Sequence, residues 1–346
     1  MIIIGLLNLY FIKNNGRGTM TAAILNKDFV EQIEKAKENN SLIFFIGAGV
    51  TASQGYSSWN DYVRHLIEYW KYNFDKLKSE YPYKTDWISQ LDWLEKSTFS
   101  NERKVDIVRY LVKKYAKQSV FEDEVLSFER QYFNELVPVS SQNLILNQLA
   151  RIPAIYITTN YDSQIEKSLK QQLEVEPFAI HSTESFGKYL VNNEINSPTS
   201  TVIHLHGDTF VKSSNFISSS KSYSDLYYKD SDENLLFFKK IKDFLIGKTI
   251  VFLGYGLEED QVLAKLNLSR KNVSAYALMK RGQKFDNLIE DYYKERQFIQ
   301  IEWYGTSFDD LPKYVEKLAD RINGFEKDSN LIQLKNMLQA EAYEDE

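Results

Sequence analysis

The chain alternates short apolar runs with longer amphipathic stretches. Leu42–Ile46 is the first such run: aliphatic, β-branched and aromatic residues with no polar break. It is too short for a helix of its own and predicts a strand buried on both faces. Residues 154–159 (AIYITT), 201–205 (TVIHL) and 249–253 (TIVFL) read the same way. Shorter or mixed runs at 176–181, 273–279 and 298–303 predict further strands. Helical spacing separates them. Residues 26–40 place Phe29, Ile33 and Ala36 on one face, and similar patterns cover 162–173, 233–246, 258–268, 285–295 and 309–323. Residues 213–224 are polar and serine-rich and predict a loop. Apolar strands alternating with helices predict an α/β fold: a doubly wound, mostly parallel, Rossmann-like sheet.

Residues 58–149 interrupt this alternation. They are rich in Trp, Tyr, Leu and charge, contain no glycine, and carry helical patterns such as Val105, Val108, Leu111, Val112 and Tyr115. The expected organisation is one nucleotide-binding domain, 26–325, with a helical insertion at 58–149 between its first and second core strands. Residues 1–25 then form an N-terminal extension or arm. Its apolar start, MIIIGLLNLYFI, is too short to span a bilayer, and a second methionine, Met20, opens a more ordinary soluble sequence. Residues 326–346 form an acidic C-terminal tail.

Composition narrows the chemistry. The 346 residues carry a formal net charge of −6, which gives no basic footprint for nucleic acid. There is no cysteine, which removes disulfides, cysteine-ligated zinc and a cysteine nucleophile. This suits a cytoplasmic protein. The four histidines are His65, His181, His204 and His206.

In a parallel sheet ligands collect at the carboxyl ends of the strands, so the residues that follow each strand carry the functional signal. After the first strand come Gly47-Ala48-Gly49 and then Val50-Thr51-Ala52, a G-x-G-x-x-A spacing. After the second comes Thr158-Thr159-Asn160-Tyr161-Asp162, after the TVIHL run His206-Gly207-Asp208, and after TIVFL the turn Gly254-Tyr255-Gly256 with Leu257-Glu258-Glu259-Asp260. Asparagine both donates and accepts, which suits fixing a water or a hydroxyl. Histidine titrates near neutrality and can take a proton. Asp162 can favour developing positive charge, or simply start the helix that follows. The acids of GLEED read as a helix start. His204 points to the opposite face of its strand from a residue next to it and reads as structural, whereas Tyr223 is a candidate for the pocket wall.

In this order and spacing, GAG, TTNYD, HLHGD and GYGLEED resemble the sirtuin fold over residues 40–265. The resemblance is closest to the bacterial sirtuin-like branch of anti-phage defence systems. It implies that Asn160 and His206 surround a nicotinamide ribose, with Asp162 the aspartate of the same motif. Gly47, Ala48 and Gly49 would hold the diphosphate, and Gly254 would lie near the adenosine half. Thr51, Thr159, Gly207 and Tyr255 complete the expected NAD-contacting set. Two features depart from protein-deacylating sirtuins. The four-cysteine zinc module is missing, and the GIPxFR-like run is replaced by YSSWNDY after Gly55, with Trp59 near the place of the arginine. The resemblance therefore implies a metal-independent NAD glycohydrolase, with NAD as substrate, that depletes NAD in abortive infection. The competing readings are a catalytically quiet NAD or ADP-ribose sensor, and a sirtuin-type deacylase or ADP-ribosyltransferase. It also implies control by assembly, as a homo-oligomer or with a HerA-type ATPase. The insertion is the expected docking surface, provided that Trp59, Trp70, Trp87 and Trp93 are not simply its core.

Overall fold

In the computed structural model Leu42–Ile46 is a strand, β1, with all five residues buried. Leu42, Phe44 and Ile46 face one hydrophobic layer, while Ile43 and Phe45 face the other. That double burial is why the run has no polar position. The structure describes residues 25–324 except 53, 57, 77–83, 116–127, 130, 134–141, 175, 181–200, 208–216, 230, 270–271 and 283. The acidic tail, His181, Asp208 and all but one residue of the expected N-terminal arm lie outside these residues.

Among the described residues six more strands accompany β1: β2 (Ile155–Thr158), β3 (Phe178–Ile180), β4 (Thr201–His204), β5 (Thr249–Leu253), β6 (Ser274–Lys280) and β7 (Gln300–Gly305). They form one sheet in the order β3-β4-β2-β1-β5-β6-β7, with every pairing parallel. The chain first builds to one side of β1 and then returns to lay β5 along its other edge. This reversal leaves a crevice at the carboxyl ends of the central strands. Those ends are level: Ile46 sits opposite Thr158 on one side and Leu253 on the other.

The helices are α1 (Lys27–Glu38), α2 (Ala48–Ala52), α3 (Trp59–Tyr72), α4 (Lys84–Lys96), α5 (Asn101–Tyr115), α6 (Leu144–Leu149), α7 (Gln164–Leu173), α8 (Ser220–Tyr227), α9 (Asp232–Phe244), α10 (Asp260–Leu266), α11 (Asp286–Tyr292) and α12 (Asp310–Ile322). On one face of the sheet α1, α6, α7 and α12 contribute Phe29, Ile33, Leu146, Leu169, Tyr314 and Leu318 to a single core. On the other, α9 and α10 contribute Phe238, Ile241, Val262 and Leu266. The fold is thus α/β with helices on both faces, as the alternation of patterns predicts.

A third core belongs to α3, α4 and α5, where Tyr62, Leu66, Trp70, Trp87, Leu91, Val105 and Val108 pack together. Of the four tryptophans, Trp70 and Trp87 are fully buried there and so are core, whereas Trp93 is 60% exposed. Helix α6 packs with the sheet.

One sequence expectation needs correction. The predicted loop at 213–224 gives way to helix α8 at Ser220. The serines are the cause: Ser219 and Ser222 form a reciprocal capping box, which supplies the first free N–H groups with partners. Serine-rich composition thus marks a helix start here.

Candidate active site

The first and fifth strands end in glycine turns that lock onto each other. Gly47 N donates to Leu253 O at 2.9 Å and Gly49 N donates to Gly254 O at 2.8 Å. Gly254 has φ +60, a left-handed conformation that disfavours any Cβ. A Cβ there would lie 2.4 Å from Val50 N, and one on Gly47 would lie 2.5 Å from Gly254 O. The glycines are therefore required by the contact between the two turns. Next to this contact Ala48 and Thr51 line a cleft of about 390 Å³.

The cleft collects the ends of four strands. Thr159, Asn160, Tyr161 and Asp162 enter after β2, His206 after β4, and Glu258, Glu259 and Gln261 after β5. Tyr56, Ser58, Trp59, Tyr62, Glu102, Phe133 and Tyr223 complete the wall. Sequence reasoning places Asn160, Asp162, His206, Ala48, Thr51 and Thr159 in one site, and the fold brings these six together. Gly47, Gly49 and Gly254, expected to touch the ligand, belong to the contact between the two turns and are not among the lining residues. Gly207, in its own left-handed turn at φ 72, and Tyr255 are not among the lining residues. The Tyr255 ring lies instead on Phe45 and Phe252, with centroids 4.8 and 5.8 Å away.

Asn160 is held by its neighbours. Thr158 Oγ1 donates to Ile46 O at 2.8 Å and accepts from Asn160 N at 2.9 Å, which ties the loop to the central strand. Behind it, His204 Nδ1 lies 3.3 Å from Asn160 O, and His204 Nε2 lies 2.6 Å from Glu166 Oε1 on α7. Asn160 Nδ2 is buried and has no hydrogen-bond partner. Asp162 is buried as well, and its Oδ1 accepts from Gln164 N at 3.0 Å, the helix-start role. Burial, with Glu166 adding to it, pushes its carboxyl up to about 6 against that hydrogen bond.

His206 sits between two tyrosines of α8. Its Nε2 is 2.7 Å from Tyr227 Oη, and its Nδ1 is 3.4 Å from Tyr223 Oη. Burial pushes the imidazole down to about 3, so it is neutral at pH 7. Glu259 Oε2 lies 4.0 Å from His206 Nε2. Burial, then the nearby Glu102, pushes this carboxyl up to about 7. Glu259 escaped sequence reasoning because its GLEED context reads as a helix start.

The helical layer closes the cleft. Trp59 stacks on Tyr62 at 4.9 Å, and its Nε1 donates to Glu102 Oε1 at 3.3 Å. Tyr161 lies in the core of that layer and donates to Ile217 O at 2.5 Å. Arg109 on α5 bridges Glu129 at 2.5 Å and Ser218 Oγ at 2.8 Å. Tyr62 donates to the same Glu129 oxygen at 2.7 Å.

A doubly wound parallel sheet, paired glycine turns at its reversal point, and an Asn and a His in the crevice make this a Rossmann-like α/β protein with a candidate ligand site where such folds bind ligands. In comparison with known proteins, residues 154–301 match the family described as SIR2-like domain. It is 26% identical over 307 residues to the NAD(+) hydrolase ThsA of Enterococcus faecium, covering 85% of this chain and 54% of that protein. The ThsA protein of Acinetobacter baumannii is 24% identical over 246 residues, which cover 70% of this chain and 42% of the relative. Defense-associated sirtuin 2 of Bacillus subtilis is 26% identical over 245 residues, covering 70% of this chain and 20% of its own length. The chain thus spans about half, or less, of the curated relatives it matches.

Proposed function

We propose that this protein hydrolyses NAD at the bond between nicotinamide and ribose, releasing nicotinamide and ADP-ribose, as a cytoplasmic effector of anti-phage defence. The observation that carries the reading is Asn160. It lines the cleft at the reversal point of the sheet, beside His206, with a buried amide nitrogen that has no partner of its own. Such an atom costs stability unless a ligand satisfies it. The relatives named NAD(+) hydrolase support the choice of ligand. No helix among the described residues is long and apolar enough to cross a membrane.

The chemistry suits the site. Loss of neutral nicotinamide leaves an oxocarbenium-like ribose carbon, which needs orientation, nearby negative charge and a placed water more than a strong acid. Asn160 orients the water or a ribose hydroxyl. His206, neutral and held by two tyrosines, offers hydrogen bonds of fixed direction. Asp162, buried behind them, adds negative charge once it is ionised. The diphosphate lies against Ala48 and Thr51.

The helical layer is the proposed face for assembly, with a second copy or with an ATPase partner of the HerA type. It exposes Trp93, Tyr110 (62%) and Tyr72 (83%), and aromatic residues are favoured at interfaces. Sedimentation of the wild type and of Trp93→Ser tests this; a monomer with full activity would count against it.

The central test is nicotinamide release from NAD by the purified protein. Asn160→Ala and His206→Ala are expected to lower the rate by at least about 100-fold while melting close to the wild type. Wild-type rates from both variants would remove these residues from the site.

A further inference from the structure

Glu259 is a carboxylate of the cleft wall outside the Asn160–His206 pair. Glu259 occupies the N-cap position of α10, yet its side chain makes no capping hydrogen bond. It lines the cleft instead, and its Oε2 is sealed from solvent with no hydrogen-bond partner. Among the described residues of the cleft wall, Asn160 Nδ2 is the other buried polar atom in that condition. One orphan donor and one orphan acceptor therefore belong to two residues of the same cleft wall. A water or hydroxyl supplies an acceptor to the first and a donor to the second.

Other acceptors of the wall already hold partners: Glu102 Oε1 takes the Trp59 Nε1–H. Asp162 Oδ1 takes the Gln164 N–H. Both nitrogens of His206 face tyrosine hydroxyls, and burial disfavours its protonated form.

We propose that Glu259 is a further catalytic group: it takes the proton of the water that attacks the ribose. This rests on the NAD hydrolase reading. The water oxygen bonds to ribose C1′ as the C1′–N bond breaks, and that electron pair leaves on nicotinamide nitrogen. The water proton passes to the Glu259 carboxylate and then to solvent. NAD and water thus yield nicotinamide, ADP-ribose and one proton.

The surroundings of Glu259 set its pH dependence. Glu102 on α5, Tyr161, His206, Tyr223 and Tyr227 on α8, and Tyr255 interact with it. None of these carries a permanent positive charge. Burial and Glu102 therefore favour the protonated carboxyl up to about pH 7, and the working carboxylate gains population as pH rises through that value.

The test is the pH profile of nicotinamide release by the whole chain, for the wild type and for Glu259→Gln, which keeps the shape of the side chain. The wild-type kcat is expected to fall as pH drops through about 7. In Glu259→Gln kcat falls about 100-fold or more with KM little changed, and the acid limb disappears. Asp260→Asn, outside the cleft wall, retains both rate and limb. If Glu259→Gln keeps the wild-type kcat, or raises KM alone, Glu259 is not the proton acceptor and the hydrolase reading stands. If the variant does not fold, a wild-type profile without a limb near that pH has the same meaning. A wild type that releases no nicotinamide overturns the hydrolase reading and this inference together.

Discussion

Replacing Gly254 with alanine tests the idea that two glycine turns are keyed to one another. The new methyl would fall 2.4 Å from Val50 N, 2.8 Å from the carbonyl carbon of Gly49 and 2.8 Å from Val50 Cγ2. Two of those atoms are backbone and cannot rotate away. The residue would also have to keep φ near +60, which costs a residue with a Cβ about 1–2 kcal/mol. Relieving the overlap by shifting α2 away costs a further 1–3 kcal/mol, roughly, as in other overpacked interiors. The expected loss is about 2–5 kcal/mol, a large share of the roughly 5–15 kcal/mol that holds a folded protein. At about 2–4 °C per kcal/mol for a domain of this order of size, Tm should fall by roughly 5–20 °C. The assay is thermal and urea unfolding followed by circular dichroism, with Gly256→Ala as control. A Cβ on Gly256 would meet only Glu258 side-chain atoms at 3.8 and 3.9 Å, so that variant should melt within a degree or two of wild type. A Gly254→Ala protein that melts with the control would refute the keyed contact.

Thr158→Val removes the hydroxyl that joins Ile46 O to Asn160 N. It should cost about 1–3 kcal/mol and slow nicotinamide release more than an equally destabilising change in α12; equal effects on both would show that the loop does not orient Asn160. Arg109→Met strands the buried Glu129 carboxylate and should cost about 3–5 kcal/mol, whereas adding Glu129→Gln should recover part of the loss; urea midpoints decide, and additive losses would dissolve the pair. Asp162 has a folded-state pKa raised to about 6 from 3.8. Its ionisation therefore opposes folding, and the stability it contributes falls as pH rises between those values and stays low above them. The stability advantage of Asp162→Asn, read from urea unfolding, should grow over that window, reaching roughly 2–3 kcal/mol near pH 7; a difference that does not change with pH would refute the shift.

Much of the fold was legible because the central strands are buried on both faces. A run such as Ile250-Val251-Phe252 has no polar position, and only the middle of a parallel sheet demands that. The cleft was legible to the extent that it follows strand ends: Asn160, Asp162 and His206 each stand just beyond one. What could not be read depends on contacts between distant segments. Nothing near Gly47 shows that Gly254 will fill the space beside it. The serines at 219 and 222 read as loop because polarity alone does not reveal a capping box. Glu259 read as a cap because side-chain direction at a helix start depends on what lies opposite, and here the imidazole of His206, just beyond β4, lies opposite. Trp70 and Trp93 have similar local sequence settings, yet one is core and the other is surface, since only the packing of α3 against α4 and α5 separates them.

Tyr161 follows Asn160 directly in the chain, but its ring is a member of the helical layer's own core. The peptide joining the two residues is therefore a short lever between two bodies. A partner that grips α3, α4 or α5 and shifts them therefore acts on the backbone beside the asparagine as well as on the cleft wall they supply. The layer that looks like an attachment is thereby one of the two jaws that set the site's alignment.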